Sequence, residues 1–269
     1  MMNTKRIASL AIGFSAVAVA STVPPRLEAQ SLAQRIAAVR EGKVRLTFPS
    51  RPDLCGYNNS ISRGRSNHMN WSSEISSDVD YDQDCSHGPV RLVLYMDGGR
   101  VTKIRPYVGG QWRPATSGVT DLGAVSAKDA TDYLIGLAET STESVGRDAI
   151  MPATFADGVI VWPPLFRLAR NERVPLGTRK QALFWLGAAA GDKITGGRDG
   201  DEKSDDAIEV KKSAVFALSQ RRDGEAVPAL IEVARNNRDP EVRKSALFWL
   251  GQTSDPRAIS LFEEILDAR

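Results

Sequence analysis

The chain has 269 residues, 42% of them hydrophobic and 25% charged, a folded-protein composition that excludes a wholly disordered or fibrous chain. Its 35 basic and 33 acidic residues nearly cancel, and residues 1–20 hold two of the basic ones, Lys5 and Arg6, and no acid, leaving 33 of each in the rest. A nucleic-acid partner is therefore not expected, since that surface needs a basic excess, and a total of two histidines excludes a three-histidine zinc site.

Lys5 and Arg6 precede an apolar run over residues 7–20, and Ala18-Val19-Ala20 has the small residues of a signal-peptidase site. The run is short for a membrane span of about 20 residues, so residues 1–20 read as a secretory signal peptide, with an alternative cut after Ala29. The competing reading is a retained anchor. The expected mature chain has no membrane span and is periplasmic or secreted.

Pro24-Pro25 lead to a short helix over residues 31–40, capped by Ser31, with Leu32, Ile36, Ala37 and Val39 apolar. Val44-Arg45-Leu46-Thr47-Phe48 alternates as a strand and stops at Pro49. Residues 51–88 are rich in Ser, Asn, Asp and Gly, which predicts loops and short strands. Cys55 and Cys85 are the only cysteines, and in an exported chain they read as one disulfide. Closing that loop adds about 3–4 kcal/mol by the chain-entropy estimate. The alternative is two buried thiols. Strands over residues 90–96 and 100–108 flank Asp97-Gly98-Gly99, a hairpin turn. Together these make a small, mostly β domain over residues 30–115.

Asp78, Asp80, Asp82 and Asp84 alternate, so an extended backbone puts all four on one face, where they form a loose candidate for Ca²⁺. The competing reading is a solvated acidic edge that resists sheet-to-sheet association. Ser86 and His87 follow Cys85, and a Cys/His nucleophilic pair there competes with the disulfide for the same sulfur. No phosphate-binding glycine loop and no nucleophile elbow occurs, and no cofactor is expected.

Helices are predicted over residues 126–139, where Ser126 and Asp129 make a capping box with Asp in place of Glu, and over residues 143–155. A repeat follows. Thr178-Arg179-Lys180-Gln181-Ala182-Leu183-Phe184-Trp185-Leu186-Gly187 returns 32 residues on as Val210-Lys211-Lys212-Ser213-Ala214-Val215-Phe216-Ala217-Leu218-Ser219. It returns again at 64 residues, within Asp239-Pro240-Glu241-Val242-Arg243-Lys244-Ser245-Ala246-Leu247-Phe248-Trp249-Leu250-Gly251. Val242, Ala246, Trp249 and Leu250 share one helix face, Asp239-Pro240 starts the helix, and Gly251 stands where helices commonly stop. Residues 161–171, 226–236 and 255–266 are apolar-striped partner helices.

The pattern Asp-Pro-x-Val-Arg-x-x-Ala-x-x-x-Leu-Gly resembles the HEAT repeats, including the HEAT-like repeats of phycobilin lyases, over residues 160–269 and more faintly over 127–159. The resemblance implies an α-solenoid of antiparallel helix pairs over residues 126–269 and hence an α+β protein. It also implies a scaffold or adaptor role, although such arrays serve as enzyme subunits too. The polar, glycine-rich stretch at about 191–206 departs from the pattern and reads as a loop.

Phe184, Phe216 and Phe248 recur beside Lys180, Lys212 and Lys244, off the apolar stripe. If the second helices line a concave side, as the resemblance implies, this is an aromatic-basic ladder that suits an acidic or amphipathic protein segment. The competing reading puts the phenylalanines in seams between repeats and gives Arg179 and Arg243 structural salt bridges. The leading function is an exported, noncatalytic interaction scaffold. The alternative is an enzyme or accessory factor with its site in the β domain or the interdomain cleft.

Overall fold

The structure, a computed structural model, describes residues 30–57, 60–63, 67–70, 78–81, 85–195, 206–221 and 223–268. The expected signal peptide, Asp82, Asp84 and residues 196–205 of the expected polar loop lie outside the described residues.

Helix α1 (Leu32–Ala37) opens on a reciprocal cap: the Ser31 hydroxyl accepts from the Gln34 amide, and Gln34 Oε1 accepts from the Ser31 amide. It stops short of the expected residue 40. Strand β1 (Gly42–Phe48) buries Val44, Leu46 and Phe48 and turns Lys43, Arg45 and Thr47 to its other face. Strands β2 (Leu54–Tyr57), β3 (Ser60–Arg63), β4 (Asn67–Asn70) and β6 (Ser86–His87) form a small sheet in the order β4-β3-β2-β6; β5 (Val79–Asp80) pairs instead with β9 (Gln111–Trp112).

Strands β7 (Val90–Asp97), β8 (Arg100–Val108) and β10 (Val119–Ala124) complete the larger sheet, order β10-β1-β7-β8. Gly98 and Gly99 turn the β7–β8 hairpin at φ +58° and +79°, the left-handed pair that a two-residue turn between twisted strands requires. Strand β10 runs parallel to β1, a pairing with no local signal in the sequence. Cross-strand rows such as Val44–Leu94–Ile104 make the buried face of this sheet. The Cys55–Cys85 disulfide is formed, with Cα atoms 5.3 Å apart.

The helices are α2 (Ala127–Thr140), α3 (Glu143–Ala153), α4 (Trp162–Arg170), α5 (Leu176–Thr195), α6 (Asp206–Ser219), α7 (Asp223–Asn236), α8 (Pro240–Gly251) and α9 (Pro256–Asp267). Asp239 and Asp255 each accept from the second amide of their helix at 2.9 Å, with proline in the first turn. Helix α5 runs to Thr195, so residues 191–195 of the expected loop are helical. Ala188-Ala189-Ala190 favours helix, and Gly191 lies under the Lys244 side chain of α8.

Residues 31–269 cluster as one compact unit. One hydrophobic cluster runs from the sheet (Leu46, Leu92) through α3 (Ile150) and α5 (Leu186) to α9 (Phe262). Strand β8 packs on α3, and the chain after β1 pairs with the end of α3: the Arg51 amide donates to the Phe155 carbonyl at 2.9 Å and the Asp157 amide to the Pro49 carbonyl at 3.1 Å.

The second-helix neighbours run α3, α5, α8, α6, so spatial order departs from chain order: α8 packs against both α5 and α6. Gly187 of α5 faces Leu247 and Gly251, Gly251 of α8 faces Leu183 and Phe184, and Gly191 faces Lys244. Contacts fall along α8 as they rise along α5, so the two helices cross antiparallel. Residues 183 and 187 map onto 247 and 251 by the repeat offset of 64, so the crossing has a local pseudo-two-fold. Gly251 is the last residue of α8, where the sequence expects the helix to stop, whereas Gly187 lies in the middle of α5. Each is a helical residue that lets two backbones approach, and a Cβ on Gly187 would sit 2.8 Å from the Leu247 oxygen. The middle copy has Ser219 at that position and Ala217 in place of tryptophan, so it cannot make the same crossing.

Candidate interaction surface

The crossing sets out a run of rings. Phe155 and Trp185 meet edge to face at 6.2 Å, Trp185 and Phe184 at 5.3 Å, Phe184 and Phe248 at 6.0 Å, and Phe248 and Trp249 at 5.1 Å; Trp249 then meets Phe216 at 5.0 Å. Centroids at these separations attract beyond their area burial. The inner end is core, with Trp185 6% exposed. The outer end reaches solvent: Phe248 is 41% exposed and Phe216 47%.

The three phenylalanines thus have three environments. Phe184 is half-buried and packs on the core cluster. Phe248 bridges inward to Phe184 and outward to Trp249, and Phe216 joins the run through Trp249. Among the lysines, Lys180 is exposed and Lys212 and Lys244 are half-buried, with the Lys244 stem over Gly191. Arg243 donates to the Asn237 carbonyl at 2.8 Å and the Arg238 carbonyl at 3.2 Å, so it holds the α7–α8 turn through hydrogen bonds to backbone. Trp249 as the link between copies was missed in the sequence. Its signal was present: Ala-Leu-Phe-Trp-Leu-Gly is shared by the first and third copies and lost from the second.

The β region places its candidates differently. Asp78 accepts from Lys43 Nζ at 2.9 Å and from the Tyr107 hydroxyl at 3.3 Å, and Asp80 accepts from Arg113 at 2.6 Å. Burial pulls the Lys43 ammonium down, but the Asp78 carboxylate outweighs it and raises the pKa overall. Among the described residues no group of three or more His, Cys, Asp or Glu side chains is placed to hold a metal ion. Cys85 is in the disulfide and so is no nucleophile, and His87 Nδ1 lies 2.9 Å from the Leu54 carbonyl oxygen, which accepts from it as N–H. Sequence reading also missed Trp112, whose ring receives the Arg45 and Arg91 guanidiniums at 5.2 and 5.4 Å from its centroid. Burial pushes the neighbouring Tyr81 phenol up to about 12.

Two grooves flank α4, one of about 680 Å³ toward α2 with Ile160 on its rim, and one of about 760 Å³ toward α9, crossed by the Arg170–Glu263 ion pair. Neither is lined by a histidine, cysteine or serine among the described residues.

The family model for HEAT repeats matches residues 202–269. That span holds α6 to α9, including Phe216, Phe248 and Trp249. None of the curated proteins and none of the solved structures compared with this chain matches it. HEAT repeats are commonly protein-interaction scaffolds, and their stacked helix pairs create extended binding surfaces. No helix among the described residues is long and apolar enough to cross a membrane, and a formed disulfide is compatible with an oxidising compartment.

Proposed function

We propose that the chain is an exported, noncatalytic interaction module, periplasmic or secreted, whose HEAT-like helix pairs form a short solenoid that docks a protein partner over Phe216 and Phe248. The observation that carries this reading is the pair of half-exposed rings joined through Trp249 on the segment that matches HEAT repeats. Large aromatics left in solvent on a rigid helical face are typical anchors of protein interfaces. Lys180 and the half-buried Lys212 and Lys244 favour a partner segment with acidic residues beside an apolar anchor. The β-rich part, residues 30–115, braces the first helices through the shared core.

The test is a cross-linked pull-down with the tagged chain beside a Phe216→Ala/Phe248→Ala variant that circular dichroism shows to be folded. A stoichiometric partner captured by the parent and lost by the variant is expected. The same partner retained by both would move the interface elsewhere.

A further inference from the structure

The C-terminal end of α5 is a junction of otherwise distant parts of the chain. Arg63, at the end of β3, donates to Asp53 at 2.8 Å and forms an ion pair with Asp192 of α5 at 2.6 Å. One residue on, Lys193 donates to the Leu266 carbonyl at 3.0 Å and so caps the end of α9. One residue back, Gly191 seats the Lys244 stem of α8. Arg63 lies inside the 30-residue loop closed by Cys55 and Cys85, and Cys55 pairs with Ser62, its sequence neighbour. The Arg63 and Asp192 side chains are both mostly buried, so this pair is less screened than a surface one.

We propose that the Cys55–Cys85 disulfide makes the β2–β3 pair a redox-dependent clamp on the last two turns of α5, and through Lys193 on α9 and through Lys244 on α8, which carries Phe248 and Trp249 of the interaction surface. With the disulfide closed, β2 and β3 hold Arg63 against Asp192. A dithiol reductant opens the clamp: its thiolate attacks one cystine sulfur, its second thiol resolves the mixed disulfide, and the chain is left with two thiols while the reductant becomes a disulfide. The freed loop regains conformational entropy, Arg63 loses its fixed position, and the end of α5 frays. The regulatory meaning rests on the docking reading above, but the coupling itself needs no partner.

Hydrogen exchange by mass spectrometry on the full chain tests it, comparing oxidised protein, protein reduced with dithiothreitol, and Arg63→Gln with its disulfide intact. Residues 127–140 of α2 serve as the internal reference. Exchange over residues 188–195 is expected to quicken about tenfold or more on reduction and in Arg63→Gln alike, with no further gain when the two are combined and no change in α2. Unchanged exchange over 188–195 in Arg63→Gln, or acceleration of α2 in step with α5 on reduction, overturns the proposal. Because no partner enters the measurement, loss of the coupling and loss of the docking reading remain separate results.

Discussion

Helices α5 and α6 carry two copies of one repeat and do different work. In α5 the motif buries Ala182, Leu183, Trp185 and Leu186, and Phe184 is drawn against Phe248. In α6 only Val215 of the aligned stretch 210–219 is fully buried, while Phe216 is half-exposed and Val210 stands largely in water. The local sequence makes both segments helical in the same way. The neighbours decide what each face is for: α5 is enclosed by α3, α4, α8 and α9, whereas α6 packs on α7 and α8. A repeated residue is therefore a core residue in one copy and a candidate contact in the next.

The crossing that encloses α5 is the place to break that contrast. Gly187→Leu forces a branched side chain into the backbone of α8 and is expected to cost about 3 kcal/mol, the upper range for overpacking. Gly187→Ala is expected to cost about 1–2 kcal/mol even after the helix-propensity gain of about 0.5–1 kcal/mol, because the nearest atom is a carbonyl oxygen that cannot swing aside. The equivalent change in α6, Ser219→Ala, removes two exposed hydrogen bonds, one donated to the Phe216 carbonyl and one accepted from the Gln220 side-chain amide, and is expected to stay within about 0.5 kcal/mol. Urea midpoints measured on the three proteins decide it. Equal, small losses at Gly187 and Ser219 would mean that the crossing is not close-packed.

The phenylalanines sharpen the same contrast at a smaller scale. Phe184→Ala is expected to lose about 2 kcal/mol, roughly half the range for a fully buried ring. Phe216→Ala should lose under about 1 kcal/mol, its effect falling on partner capture. If Phe216→Ala destabilises as much as Phe184→Ala, the outer ring is structural and the docking surface loses its anchor.

How much of this was legible in the sequence follows from where each signal is local. The period of 32, the Asp-Pro starts and the alternation of Val44 to Phe48 are local patterns, and each became the expected element. The close approach at Gly187 and Gly251 was not legible, because a glycine looks the same in sequence whether it ends a helix or admits a neighbouring backbone. The parallel β1–β10 pair, the place of α8 between α5 and α6, and the two arginines over Trp112 all join residues far apart in the chain, which no spacing rule reports. The identity of copies one and three at Trp and Gly was the one local hint of their pairing.

The smallest effect concerns the tether that ties α5 to the β region. Burial alone would raise the Asp53 carboxyl, but the Arg63 hydrogen bond and the Arg51 charge outweigh it and hold the pKa below the usual carboxylate range. A depressed carboxyl stabilises the fold above its unfolded pKa, about 3.9, and loses that stabilisation as pH falls through the folded value. The Asp53–Arg63 pair is thus intact at neutral pH and weakens only in acid. More than a third of the Asp53 side chain is exposed, so solvent screens much of the gain. Arg63→Gln is expected to move the Asp53 titration upward and the acid-unfolding midpoint slightly up in pH. Carboxyl-detected NMR titration reads the first directly. An unmoved Asp53 would place its holding charge on Arg51 rather than on Arg63.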